Sequence, residues 1–452
     1  MNNFKIAPCG AFVAGALLCS QFFLAGTTPS AHAGSSVGLG TNASFSKSPL
    51  QLTLDSRIGY DDNTLDEPDH VDLVLGGRRT RIQTRAPSDS IFINEQLSLS
   101  YSLGDSRSNL VIGATAGVTY YFDRPGRDYD LNFGLSLKYR YKLTPRATFE
   151  ASTFNLYQPE PDFGVVGGQT RRNGDYFYST NRIALSYRWT PRFSTVTGYD
   201  PIFFIYRQQP YSTFQDRTEQ YFTQEFRFLI QPTLTLVAEY RFAYISFFNI
   251  NNDSYSHFVL GGYDYAFSPR LRMTLRAGAE FRTYTDNGAR TLAAGFRTIG
   301  QEQRNSPFAE SSLVYDLSRR SNIALTLRYG LEQGDTTFAD SVRETFRLGL
   351  AYNQAITARI TGYISLFYQH GRYDNGDIIN ALGQRFGNSY TEDTVDLAVG
   401  LRYAINRNFS AEVGYSHTVS VSDFRSPVGA GYLDGLRDYE RNRVFAGLRV
   451  SF

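Results

Sequence analysis

Arg443-Val444-Phe445-Ala446-Gly447-Leu448-Arg449-Val450-Ser451-Phe452 closes the chain, and its alternation decides the fold. Val444, Ala446, Leu448, Val450 and Phe452 share one parity; Arg443, Phe445, Gly447, Arg449 and Ser451 hold the other. Successive side chains of a strand point to opposite faces, so this strand offers one face to lipid and the other, with two arginines, to water. Within a bilayer only a closed barrel tolerates such a strand, because every backbone N–H and C=O needs a partner inside the protein.

The last strand of a soluble sandwich also alternates, and the other end of the chain separates the two readings. Residues 1–33 read as a secretory signal peptide of the Sec type, with Lys5, an apolar stretch from Ala11 to Ala25, and Ala31-His32-Ala33 as a small-x-small cleavage site. Cys9 and Cys19 both lie inside it, so the exported chain holds neither a disulfide framework nor a thiol chemistry. After residue 33 no run of about 18 apolar residues occurs, which argues against a helical membrane span. The chain end resembles the assembly signal of bacterial outer-membrane barrels, carried by Val444, Leu448, Val450 and Phe452, which implies the barrel-assembly machinery as a partner.

The composition fits. Aromatic residues make up 15%, with 32 Tyr and 35 Phe against 2 Met. Removing Lys5 with the leader leaves 44 basic against 43 acidic residues, and a net charge of +1 argues against nucleic acid. Residues 34–48 form a Gly/Ser-rich lead, and 49–452 the barrel, an all-β antiparallel up-and-down architecture.

Short turns of Pro and polar residues punctuate the barrel region at 104–107, 144–146, 190–192, 231–233, 268–270, 318–320, 353–355 and 406–408. Between them fall longer loops near 62–88, 158–175, 284–304, 371–388 and 422–438, and shorter ones near 123, 208, 249 and 335. Eight turns and nine loops join about eighteen strands, with the turns and both termini periplasmic and the loops extracellular. This places the chain as an integral protein of the outer membrane of a Gram-negative cell, in contact with lipid.

Parity assigns the faces. Leu131, Phe133, Leu135, Leu137, Tyr139 and Tyr141 face lipid, while Asn132, Ser136, Lys138, Arg140 and Lys142 face the lumen. The same split puts Arg182, Arg188, Arg227, Arg241, Arg276, Arg328, Arg347, Arg359, Arg402 and Arg449 on the lumen wall, beside Glu225, Glu239, Asp264, Glu280, Glu310, Asp396 and Glu412. Such charges set the ion preference of a water-filled channel, or pair into a network that holds the wall. Aromatics at strand ends, among them Tyr139, Tyr141, Trp189, Phe203, Phe204, Phe247, Phe248, Tyr265, Phe267 and Tyr403, read as interfacial girdles. Tyr121, Tyr363 and Phe367 have lumen parity and could stack sugar rings.

A barrel of 16 to 18 strands is wide enough for an aqueous channel. Either of two loops could fold inward to narrow it: 284–304, with Arg290 and Arg297, or 159–175. The first long loop carries Asp61, Asp62, Asp66, Glu67, Asp69 and Asp72 ahead of Arg78, Arg79, Arg81 and Arg85; these carboxylates match no EF-hand spacing, and Pro68 interrupts them.

Gly59-Tyr60-Asp61-Asp62-Asn63, the later Pro-Arg turns and the terminal Phe together resemble the beta-barrel porin 2 family of outer-membrane proteins over residues 50–452. The resemblance implies a barrel that accompanies exopolysaccharide production and passes or organises a polymer; it carries over no catalytic residue. Three functions follow in order: passive passage of small solutes or of exopolysaccharide, a non-conducting structural or adhesive barrel, and an outer-membrane hydrolase. The histidines left after the leader, His70, His257, His370 and His417, have no hydrolase motif and no ligand spacing, so no enzyme activity, cofactor or metal is expected. The solute and the oligomeric state leave no mark in one sequence.

Overall fold

The computed structural model describes residues 49–452 apart from 85–87, 166–168, 170, 173, 210, 286–289, 292–296, 300–302, 335–341, 380–384 and 429–430. The expected leader and Gly/Ser lead lie outside the described residues. Among those described, one antiparallel sheet of twenty strands closes on itself. Two of its members, Arg290–Thr291 and Arg297–Ile299, are short pieces beyond the wall, which leaves eighteen wall strands. Each wall strand pairs with its neighbours in chain order. The ring shuts where Leu50–Asp61 bonds both Ser90–Gly104 and Tyr439–Ser451. The final residue takes part: Phe452 donates its N–H to the Leu52 carbonyl at 2.8 Å and accepts from the Leu52 N–H at 3.2 Å. Every ladder therefore finds a partner, the condition a spanning sheet must meet.

The alternation read from the sequence fixes which face points out. Leu54, Ile58, Leu97, Leu131, Phe133, Leu135, Val413 and Leu448 are exposed on the outer surface, whereas Asn94, Gln96, Asn132, Ser136 and Thr119 are buried inward. Val444 and Phe452 are also exposed outward, and Val450 is half-buried. This apolar exterior fits an integral outer-membrane location. A carboxylate interrupts it where Glu95 stands between Ile93 and Leu97 on the outward parity and accepts a hydrogen bond from Ser56 Oγ at 2.5 Å. Near the turn end Tyr187 meets Trp189 at 4.6 Å and Tyr265 meets Phe267 at 4.1 Å; near the loop end Tyr120 meets Phe122 at 5.3 Å. Phe204 and Phe247 do not join these girdles. Adjacent strand residues cannot both face lipid, so with Phe203 and Phe248 outward these two turn into the lumen and are buried.

Five of the tight turns share a device. A side-chain oxygen at the first turn residue accepts backbone N–H bonds from positions two and three further on. Asp105, Thr144, Thr190, Ser268 and Asn406 all do so, at 2.6 to 3.2 Å. Such local bonds compete with the ladder and turn the chain. The same device relocates one turn. Asn353–Ala355 remains in the strand Val342–Ala355, and the chain reverses at 356–359, where Thr357 Oγ1 accepts from the N–H groups of Arg359 and Ile360 at 3.2 and 2.9 Å. At the opposite end, the span 371–388 is largely strand. Ile360–Ile379 and Arg385–Ala404 run on as a paired ladder well beyond the neighbouring wall, with a register shift between Asp374 and Asp377, and Tyr373 stacks on Tyr390 at 4.3 Å.

Two extracellular loops form a small sheet of their own, in which His70–Leu75 lies between Arg78–Gln83 and Gly431–Asp434, with Arg425–Val428 outermost. A five-residue helix, Tyr211–Gln215, sits in another loop.

Candidate functional site

The loop 159–175 leaves the wall after the strand Ala147–Gln158 and turns into the barrel. Its near end is held by charge. Glu160 accepts from Arg441 at 2.8 Å and from Arg172 at 2.9 Å, and Arg441 also reaches Asp61 at 2.6 Å and Asp66 at 3.1 Å. Arg172 bonds Asp130 at 2.5 Å, Arg124 bonds the same carboxylate at 2.7 Å, and Arg127 bridges Asp130 and Asp175. Arg443 adds a contact to Asp61 at 3.1 Å and lies over the Phe92 ring. Five guanidiniums thus face five carboxylates, nearly all buried. A buried charge is tolerable only when so compensated.

Asp66 joins the first loop to this cluster. It adopts a left-handed conformation at φ 54°, a strained choice for a residue with a side chain. That geometry lets its carboxylate accept from the Arg172 N–H at 2.9 Å while its carbonyl accepts from Arg171 at 3.1 Å. Burial pushes the Asp66 carboxyl up, against the pull of Arg441. Burial would also raise Glu160, but Arg441, Arg172 and Arg443 outweigh it and hold that carboxyl well below the usual range.

The loop's middle packs on apolar side chains that point inward. Val165 meets a cluster of Leu156, Tyr176, Tyr178, Ile202, Phe204 and Tyr206. The far end crosses the lumen. Arg347 Nη1 donates to the carbonyls of Phe163 at 3.2 Å and Val165 at 2.8 Å, and the Phe163 ring stacks on Phe367 at 5.1 Å. Arg347 belongs to Val342–Ala355, nine strands from Ala147–Gln158 in a ring of eighteen, so the loop bridges opposite walls. Of the other loop with inward potential, 284–304, the described backbone Arg297–Ile299 pairs with Asp377–Ile379 beyond the wall.

Most lumen charges named from parity fall into alternating chains. Arg227 links Glu225 at 2.7 Å to Asp264; Arg276 links Asp264 at 3.0 Å to Glu239; Arg241 links Glu239 at 2.7 Å to Glu310 at 3.2 Å; Arg328 continues from Glu310 at 3.3 Å to Glu332. Closer to the turns, Arg140 pairs with Glu150, Arg182 with Asp200, Arg449 with Asp55, and Arg402 and Arg57 share Glu412. Lys138 is half-buried on the inward face. Two arginines stand apart: Arg359 is an exposed turn residue because the turn falls at 356–359, and Arg188 lies exposed at its strand end, donating to the Pro145 carbonyl at 3.1 Å. The parity pattern misses Arg217, Arg282, Arg343, Arg441, Phe258 and Phe308, all buried inward. Arg217 lies 4.0 Å from the Phe204 ring centre, and Arg241 and Arg328 lie over Phe308.

Tyr121, Tyr363 and Phe367 do point inward but form no continuous track. Tyr121 carries Arg124, Tyr363 donates to Glu412 at 3.2 Å, and Phe367 is covered by Phe163. Of the first loop's carboxylates, Asp61 and Asp66 serve Arg441, and Asp72 lies by Arg79 and Arg81. Among the described residues no group of acidic or histidine side chains is arranged around a metal position. His257 meets Tyr240, His370 meets Asp393 and His417 meets Asn442, all on the outward parity.

These features define a closed transmembrane β-barrel with a loop folded into its lumen. No family model matches the chain, and no curated protein matches it. Among solved structures it is similar to Pseudomonas aeruginosa OpdK crystallised with vanillate, at TM-score 0.41 and 11% identity over 89% of this chain and 99% of that one. A BenF-like porin from Pseudomonas fluorescens Pf-5 gives 0.41 and 10% over 89% and 99%, and Acinetobacter baumannii OccAB4 gives 0.37 and 11% over 90% and 99%. The architecture itself rests on the strand pairing described above.

Proposed function

We propose that the barrel gives small solutes passive passage across the outer membrane, with the loop 159–175 setting the width and the paired lumen charges setting ion preference. The observation that carries this reading is the loop's span from one wall to the opposite wall inside a ring wide enough for a channel. A lumen crossed in this way favours small solutes over a polymer, so exopolysaccharide passage is the weaker form of the proposal. Sec-type export of the expected leader and delivery by the barrel-assembly machinery through Val444, Leu448, Val450 and Phe452 belong to the same proposal.

The test is conductance of the folded barrel in a planar bilayer under asymmetric salt, beside a variant in which a short Gly-Ser linker replaces 160–174. Stable steps that grow several-fold in the variant support the reading. Full burial of Arg217 and Arg343 favours a second one, a barrel closed by its own side chains. Silence from verified folded wild type, with steps only after loop removal, supports that second reading and overturns the first.

A further inference from the structure

Where the loop meets the far wall, hydrogen-bonding capacity is left over. Arg347, Gln369, Thr345 and Gly371 occupy four adjoining inward positions, since Arg347 faces Gln369 and Thr345 faces Gly371 in register. Gln369 is 1% exposed, yet neither atom of its amide has a partner; Thr345 Oγ1 and Arg347 Nε are likewise buried and unpartnered. Buried polar atoms without partners are uncommon and call for an explanation. The fourth corner is Gly371, which brings no side chain; a Cβ there would lie 3.5 Å from both Arg343 Cδ and Tyr373 Cε2.

The charge around these positions is uneven. Arg347 lies beside Arg328 in register, although like charges directly opposite repel. Glu332 serves three guanidiniums, at 2.9 Å to Arg347, 3.5 Å to Arg328 and 3.6 Å to Arg343. The remaining acceptors on Arg347 are the neutral carbonyls of Phe163 and Val165. An ionised acceptor makes a hydrogen bond roughly twice as strong as a neutral one.

We infer that Arg347, Gln369 and Thr345 form a subsite for a small carboxylate carrying hydroxyl groups, and that its carboxylate takes the place of the two loop carbonyls on Arg347. The planar guanidinium suits the carboxylate, while the Gln369 amide and Thr345 hydroxyl meet the hydroxyls. Occupancy therefore frees the loop's far end, and the solute widens its own path. No covalent bond changes. The inference rests on the solute-passage proposal and deepens it.

The test uses the folded full barrel in detergent with Gly164→Cys labelled by bimane, a position between the two carbonyls; the chain's own cysteines lie in the expected leader. Gluconate is the probe, with sorbitol and chloride as controls. A saturable bimane shift with gluconate alone is expected. Gln369→Leu should weaken the apparent affinity at least tenfold, because it removes the unpartnered side-chain amide that meets the hydroxyls. Arg347→Met should show the released spectrum from the start and no gluconate response. An unaltered response in Gln369→Leu, a response retained in Arg347→Met, or an equal shift with sorbitol overturns the subsite. Chloride conductance is scored separately: steps without a gluconate shift sink this inference alone, and a shift without steps sinks the passage proposal alone.

Discussion

Replacing Glu160 by Gln tests the near anchor of the loop. The substitution keeps the shape of the side chain but removes the charge that meets Arg441 at 2.8 Å and Arg172 at 2.9 Å. Taking one partner from a buried ion pair costs about 3 to 5 kcal/mol when the other charge is left uncompensated. Arg441 keeps Asp61 and Asp66 and Arg172 keeps Asp130, so the loss should lie lower, at about 2 to 3 kcal/mol of docking free energy. At 1.4 kcal/mol per factor of ten, the undocked population rises about 30- to 150-fold. The assay is single-channel recording, scoring excursions to the conductance level of the barrel whose loop has been replaced. The wild type supplies a second axis. Glu160 is held below its ordinary pKa of about 4.3, so its stabilisation of docking is fully present above that value and is lost as pH falls through the depressed one. Asp66, raised by burial, acts in the opposite sense and favours docking as pH falls. Acidification below about pH 4 should therefore increase the excursions in the wild type, and Glu160→Gln should shrink that transition, leaving the part carried by Asp175, which Arg127 holds low against the effect of burial. Excursions within threefold of wild type at neutral pH, or an acid transition of undiminished size after the substitution, would refute the anchoring role.

Four further substitutions probe the wall. At Gly330 an added Cβ would sit 2.9 Å from Phe308 Cδ2, so Gly330→Ala must displace that ring and should cost about 1 to 3 kcal/mol, read as a lower unfolding midpoint in urea. Thr357→Ala removes the oxygen that caps Arg359 and Ile360 and should cost about 0.5 to 1.5 kcal/mol in the same titration; Arg359→Ala, exposed in that turn, should change neither stability by more than about 0.5 kcal/mol nor selectivity. Glu95→Leu restores an unbroken apolar face and should stabilise the barrel in lipid by about 1 to 2 kcal/mol; a loss of stability instead would mean that another protein covers this face.

The barrel was legible because period two is enforced by lipid: Leu131 to Tyr141 and Val444 to Phe452 have no other way to satisfy one apolar and one wet face. The same rule corrects Phe204 and Phe247, since an aromatic pair at a strand end cannot present both rings to the membrane. The seventh turn was legible too, in a signal not used. Thr144-Pro145-Arg146, Thr190-Pro191-Arg192 and Thr357-Ala358-Arg359 share a capping Thr two residues before Arg, whereas Asn353-Gln354-Ala355 has polar residues and leaves Asn353 paired in the ladder.

The inward loop was not legible, and the reason is physical rather than statistical. Nothing within 159–175 distinguishes it from 284–304; what draws it in is a match with the wall. Asp61 and Asp130 face inward near the loop end, Arg441 and Arg443 stand beside them, and only a segment bringing one acid and one base can keep that group neutral while covering it. Glu160 and Arg172 are that pair, and Arg441 links residues 281 positions apart in the chain to hold them. The far anchor obeys a different rule. There the loop brings neutral carbonyls and a ring to Arg347 and Phe367, so this end is bonded more weakly than the other. A loop fixed by balanced charge at one end and by neutral acceptors at the other moves at the second end first, and that end borders the unspent amide of Gln369.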